Sequence, residues 1–232
     1  HESCTFWAKP IRVNADRHSV TLPRIGIIKT YENTRGLQRK IAKGTARIFR
    51  ATISRGFNYW HVSFTVYEKR RTPEAHRNPG SVVGVDMGVG DHVIVAANPH
   101  GDEVMRRGLP TTISDHDRRI RHLQRKMSRK RGPDKRTKTT PSNRWVRANN
   151  QIRKHYNTMA NVRRDFAAKA VHELAKNYET VVIEDLNVRA MMTRGGAYKR
   201  GLNRAIAQAS LADLRRRITY KTHWNGGVTI VA

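Results

Sequence analysis

The chain has 232 residues, enough for one large domain or two small ones with a real apolar core. Lys and Arg number 46 against 18 acids, a net charge of +28. That excludes an acidic solvating protein and makes nucleic acid the leading partner. The single cysteine, Cys4, excludes a disulfide framework and a cysteine-only zinc cage.

No apolar run approaches the roughly 18 residues of a membrane span, and no signal peptide opens the sequence. No membrane partner is expected, and the expected location is cytoplasmic, nucleoid-associated when DNA is bound. The sequence opens on His1, and Val228 to Ala232 reads as a strand. Both ends of the natural protein are expected to lie outside it.

Residues 1–70 carry short β-type stretches: Phe6 to Val13, Ser19 to Lys29, Gly44 to Ser54 and Tyr59 to Glu68. In the last, Trp60, Val62, Phe64 and Val66 alternate with His61, Ser63, Thr65 and Tyr67, the period of a half-buried strand. Arg55-Gly56-Phe57-Asn58 reads as the hairpin turn feeding it. A small antiparallel sheet or barrel over 1–78 is expected, a form that often touches nucleic acid. Residues 69–80, with Pro73 and Pro79, read as a linker.

The second domain is expected over 79–232. Val82 to Val85, ending at Asp86, begins a three-strand meander continued by His92 to Ala97 and Gly101 to Arg106. Two basic helices follow, roughly Ser114 to Arg131 and Arg144 to Asn177, joined by a polar, mobile linker. Thr180 to Glu184 is a fourth strand. A polar loop with Gly195-Gly196 precedes one helix from about Asn203 to Trp224, and a fifth strand starts after Gly226-Gly227. The crossover makes the first and fourth of these strands parallel. The class is mixed, α/β and α+β.

Asp86 follows VVGV and Glu184 follows TVVI, each at the C-terminal end of a buried strand, where open α/β sheets place their ligands. On neighbouring strands the two carboxylates repel unless a cation neutralises both. Magnesium prefers such oxygen donors, and two metals about 3.5–4 Å apart can activate water against a phosphodiester. Asp185 rivals Glu184: successive side chains alternate faces, only one of the two can share a face with Asp86, and spacing alone does not say which.

From Asp117 to Arg147, thirteen Lys and Arg stand against two acids. Such a density repels itself unless phosphates neutralise it. The nucleic-acid candidates are Arg118, Arg121, Arg125, Lys126, Arg129, Lys130, Arg131, Lys135, Arg136, Arg144 and Arg147. Trp145 can stack on a base or fill the core. Arg194, Gly195 and Gly196 are the candidate lid over the acids. No HExxH and no Walker loop occurs.

GVDMGV at 84–89 resembles the first RuvC motif, and VVIEDLNV at 181–188 the second, of TnpB-type transposon-associated RNA-guided nucleases and the similar type V CRISPR effectors. VTLPRIGIIK (20–29), RRIRHLQRKMSRK (118–130), NVRRDFAAKAVHELA (161–175) and GLNRAIAQASLADLRRRITYKTHWNGG (201–227) agree in order. The resemblance implies a wedge-like β-barrel domain gripping guide RNA. It also implies an RNase H-like (RuvC) sheet with its first and fourth strands adjacent. Asp86 and Glu184 match the first two catalytic carboxylates, so the resemblance selects Glu184 over Asp185, and the family lid falls near 189–200. A third catalytic aspartate and a zinc ribbon, with its Zn2+, would follow residue 232.

The implied function is a magnesium-dependent, RNA-guided DNA endonuclease with guide RNA and target DNA as partners. A nuclease-inactive guided binder and a guide-independent basic RNA-binding protein are the alternatives. A strand-transfer transposase shares the chemistry but lacks a recognisable terminal-repeat reader.

Overall fold

The computed structural model describes residues 3–7, 11–56, 59–69 and 72–232. Within these the chain divides into two compact units, residues 1–71 and 72–232.

The first unit holds two antiparallel three-stranded sheets. One orders β1 (Ser3–Trp7), β5 (Ala46–Arg55) and β6 (Trp60–Glu68); the other orders β2 (Arg12–Val13), β3 (Ser19–Leu22) and β4 (Gly26–Lys29). Val20, Leu22 and Ala51 are buried between them, with Ile28, Ile53, Val62 and Phe64 packed around. The alternation in β6 therefore points Val62 and Phe64 inward as expected, but Trp60 stays 60% exposed, with Arg55 over its ring.

The barrel expected here is not closed among the described residues. Closure needs strands long enough to pair all the way round. β2 has two residues and β3 and β4 four each, so this sheet ends before it can pair with the other. The stretch read as one strand over 19–29 is a hairpin, turned at Arg24 with φ +63. Residues 8–10 of the strand expected over 6–13, and Phe57 and Asn58 of the expected turn, lie outside the described residues. Gly56 N–H nevertheless donates to Tyr59 C=O at 2.8 Å across that turn. A short helix, α1 (Arg35–Ala42), was absent from the sequence reading; it buries no residue, so it carries little apolar signal.

Of residues 69–80, read as linker, those from Thr72 on belong to the second unit and one is buried there. His76 is 3% exposed, its Nε2 3.2 Å from Ala175 C=O.

The second unit is a five-stranded mixed sheet with helices against one face. Strands β7 (Val82–Met87), β8 (Ile94–Ala97) and β9 (Glu103–Arg107) form the antiparallel meander. β10 (Thr180–Ile183) lies parallel to β7, and β11 (Val228–Val231) parallel to β10, so the order is β11-β10-β7-β8-β9. The first and fourth strands are thus adjacent and parallel.

Between β9 and β10 run α2 (Thr111–Ser128) and the 35-residue α3 (Asn143–Asn177). At 1.5 Å per residue α3 is about 52 Å long. It serves two cores. Ile152 and Met159 of its first half meet Ile113 and Ile120 of α2. Ala167, Ala170, Val171 and Leu174 of its second half cover Val83, Val85, Val181 and Ile183 of the sheet. Residues 132–143, expected as a mobile linker, form a closed turn: Asp134 and Thr139 pair backbone to backbone, and Ser142 N–H donates to Arg131 C=O at 2.9 Å.

The single helix expected near 203–224 is two, α5 (Ala197–Ala209) and α6 (Leu211–Trp224), after a one-turn α4 (Val188–Met191). The break is Ser210, in the left-handed region at φ +55. Apolar residues stand on both sides of it, Ile206 and Ala209 before and Leu211 and Leu214 after, and serine is not the glycine that usually marks such a turn, so the sequence reads as one helix. Leu211, Leu214 and Ile218 of α6 join α3 on the same sheet face. Gly226 and Gly227 then turn the chain into β11. Gly226 has φ +79, and a Cβ on Gly227 would stand 2.3 Å from Glu179 C=O. No helix is long and apolar enough to cross a membrane among the described residues.

Candidate nuclease site and nucleic-acid interface

Alternation decides the environment of each acid. In β7, Val83, Val85 and Met87 are buried while Gly84 and Asp86 are exposed. In β10, Val181 and Ile183 are buried beneath the helices. The parallel register pairs Val182 with Gly84 and Ile183 with Val85. β10 ends at Ile183, so Glu184, expected as the last residue of that strand, is the residue just after it, as Asp86 is the residue after Val85 in β7. Both acids are exposed.

Asp185 accepts through its Oδ1 from Arg215 Nη1 of α6 at 2.7 Å. It lines a cavity of about 520 Å³ with Met87, Leu211 and Arg215, on the helix side of the sheet. Arg215 of α6 thus engages Asp185, a contact that no local pattern contains.

Two exposed carboxylates following a register pair suit a hard, oxygen-preferring divalent cation, which binds proteins through one or two carboxylates and keeps waters for the rest. No group of three or more His, Cys, Asp or Glu able to hold a metal occurs among the described residues.

The basic candidates spread along α2, the following turn and the start of α3. Arg118, Arg121, Arg125, Lys126, Arg129, Arg131, Lys135, Arg136, Arg144 and Arg147 are exposed, and Lys130 is half-buried. Two of them are held by local acids: Arg118 by Asp115, and Arg121 by Asp117 at 3.2 Å. Trp145 is half-buried in the first turn of α3, its N–H donating to the capping Ser142 Oγ. A Cβ on Gly132 would sit 3.0 Å from its Nε1, so the indole lies over the turn.

Arg194, Gly195 and Gly196 are exposed and lead into α5. Their segment is tied down at both ends, by Lys199 Nζ donating to Met191 C=O at 2.8 Å and Asn203 Nδ2 donating to Thr193 C=O at 2.9 Å.

The sequence reading missed a histidine pair. His116 of α2 and His155 of α3 bring their Nδ1 atoms to 2.7 Å. They are 39 positions apart, and only the packing of α2 on α3 joins them.

Residues 64–195 match the family described as OrfB_IS605, probable transposase. The chain belongs to this family. Two Mycobacterium tuberculosis proteins, from strains CDC 1551 / Oshkosh and H37Rv and each named "Putative RNA-guided DNA endonuclease", are 34% identical to this family member over 230 residues. These alignments cover 98% of the chain and 48% of each relative. The Escherichia coli K12 protein named "Putative RNA-guided DNA endonuclease InsQ" is 26% identical over 227 residues, covering 94% of the chain and 50% of the relative. The chain therefore spans about half the length of these curated relatives. A cryo-EM structure of the Cas12f1-sgRNA-target DNA complex is similar at TM-score 0.46 and 16% identity, covering 85% of this chain and 38% of that one.

Proposed function

We propose that this family member forms part of an RNA-guided DNA endonuclease whose cutting site includes Asp86 and Glu184. The observation that carries the reading is the register: Val85 and Ile183 are partners on adjacent parallel strands, and Asp86 and Glu184 are the residues that follow them. The sheet order, an antiparallel meander with two further strands added parallel to its first, supports an RNase H-like (RuvC) fold. The relatives' names support the guided reaction.

In this reading Asp86 and Glu184 hold Mg2+ with carboxylate oxygens. A divalent ion bound there supplies an activated water and a counter-charge for the phosphate. The two acids contribute negative charge at fixed positions and orientation from two strands of one rigid sheet. Guide RNA pairs with target DNA, while the basic helices neutralise backbone phosphates without reading sequence. The first unit grips guide RNA as a wedge-like domain, and the segment around Arg194, Gly195 and Gly196 serves as the lid.

The test uses the full-length protein with its guide RNA, magnesium and a matched target DNA. Cutting that is lost on Asp86→Ala, with target binding retained, is the expected result. Cutting unchanged by this substitution removes Asp86 from the mechanism. Guide-dependent binding by the wild type with no cutting at all favours the nuclease-inactive alternative.

A further inference from the structure

Apart from the acids, the chain has a built groove between α2 and α3. It encloses about 920 Å³ and lies around the His116–His155 pair. Facing it from α2 are Asp115, Arg118, Arg119 and His122; from α3, Lys154 lines it beside His155. The one acid is engaged by Arg118. Net positive charge here disfavours a metal cation and favours an anion with several acceptor oxygens.

The histidine pair adds a condition on protons. At 2.7 Å between the two Nδ1 atoms, one imidazole donates and the other accepts. An acceptor nitrogen must be unprotonated, so the bond exists only while at least one ring is neutral. A doubly protonated pair has two donors face to face and no acceptor. A phosphate entering the groove supplies the missing acceptors and stabilises both charges.

We propose that the α2–α3 groove is a proton-linked phosphate site. There His116 and His155 exchange their mutual hydrogen bond for bonds to a phosphate of a nucleic-acid backbone. The proposal rests on the reading that the basic helices contact nucleic acid, and adds to it a defined subsite and a pH dependence. Burial, together with the nearby charges of His116, Arg119 and Lys154, holds His155 below its ordinary range. An anion there reverses the sign of the local field, so binding takes up a proton.

The experiment follows the histidine ring signals of the 232-residue chain by NMR through a pH titration, alone and saturated with a short DNA duplex. Duplex affinity is measured in parallel from about pH 7.5 to about pH 5.5, across the ordinary histidine range, at constant ionic strength. The expected result is a His155 midpoint that rises on binding. Wild-type affinity should gain up to about tenfold per pH unit more than that of His155→Gln, the limit for one linked proton. His116→Gln should flatten the profile too, because it removes the partner of the mutual hydrogen bond. Its melting curve shows whether the helices still pack.

Duplex bound with the His155 midpoint unmoved, or equal pH slopes in wild type and both variants, overturns the groove while leaving the nucleic-acid reading intact. No duplex binding at all overturns both. Inorganic phosphate at equal phosphate concentration shifting His155 as far as the duplex does overturns the assignment to a nucleic-acid backbone.

Discussion

Val85 and Ile183 are register partners on adjacent parallel strands, and the exposed Asp86 and Glu184 are the residues that follow them, whereas Asp185 is ion-paired with Arg215 of α6 at 2.7 Å. In the full-length protein, Asp86→Ala and Glu184→Gln should each reduce cutting by about a thousandfold or more, the scale seen when one member of a catalytic unit is removed. The double variant should lose little more than either single one. Because both side chains are exposed, melting temperatures should not fall. Cleavage time courses alongside thermal melts check this.

Asp185→Ala is the matching control. It removes an ion pair whose side chains are 73% and 33% exposed, a contact of about 0.5 kcal/mol. Cutting should persist near the wild-type rate. A loss as large as that of Glu184→Gln would exchange the roles of the two neighbours.

The α6–β11 turn should tolerate no side chain at Gly227. A Cβ there would stand 2.3 Å from Glu179 C=O and 2.9 Å from Thr222 Cγ2, so Gly227→Ala should cost about 1–3 kcal/mol. Gly201, inside α5, has nothing within 4 Å of its would-be Cβ. Gly201→Ala should stabilise by about 0.5–1 kcal/mol through helix propensity. Urea unfolding of the two variants should move in opposite directions.

His155 titrates below its ordinary range in the folded chain, chiefly through burial. The unfolded chain then binds the proton more readily between the two values. Stability is therefore lost as pH falls below about 6.5, and the penalty is complete once pH passes the folded value. His155→Gln should lose less melting temperature than wild type between about pH 7.5 and about pH 5.5. Parallel curves for the two proteins would contradict this.

Nucleic-acid binding through α2 and its turn should be steeply salt-dependent. Replacing Arg125, Lys126 or Arg129 by Gln should weaken binding alike across sequences. Each lost phosphate contact should flatten the plot of log affinity against log salt by about one unit. A substitution that alters sequence preference but leaves the slope intact would mark a base contact.

Much of this was legible along the chain. Strand positions were readable because VVGV and TVVI are short, apolar and β-branched, and a parallel pairing followed from the length of helix between them. The stripe of α3 was readable because each half faces an apolar partner. What failed locally was Ser210, where a left-handed turn divides a stretch that has apolar residues on both sides. So did α1, which buries nothing, and the barrel, whose second sheet is too short to close.

The sequence alone determined the charge, the strand and helix content of the second unit, and the two acids at strand ends, because these depend on residue type and spacing over a few positions. Only the tertiary structure decided that Asp185 pairs with Arg215, and that His116 meets His155. Both depend on which surfaces α2, α3 and α6 cover, and that is a matter of packing between segments far apart in the chain.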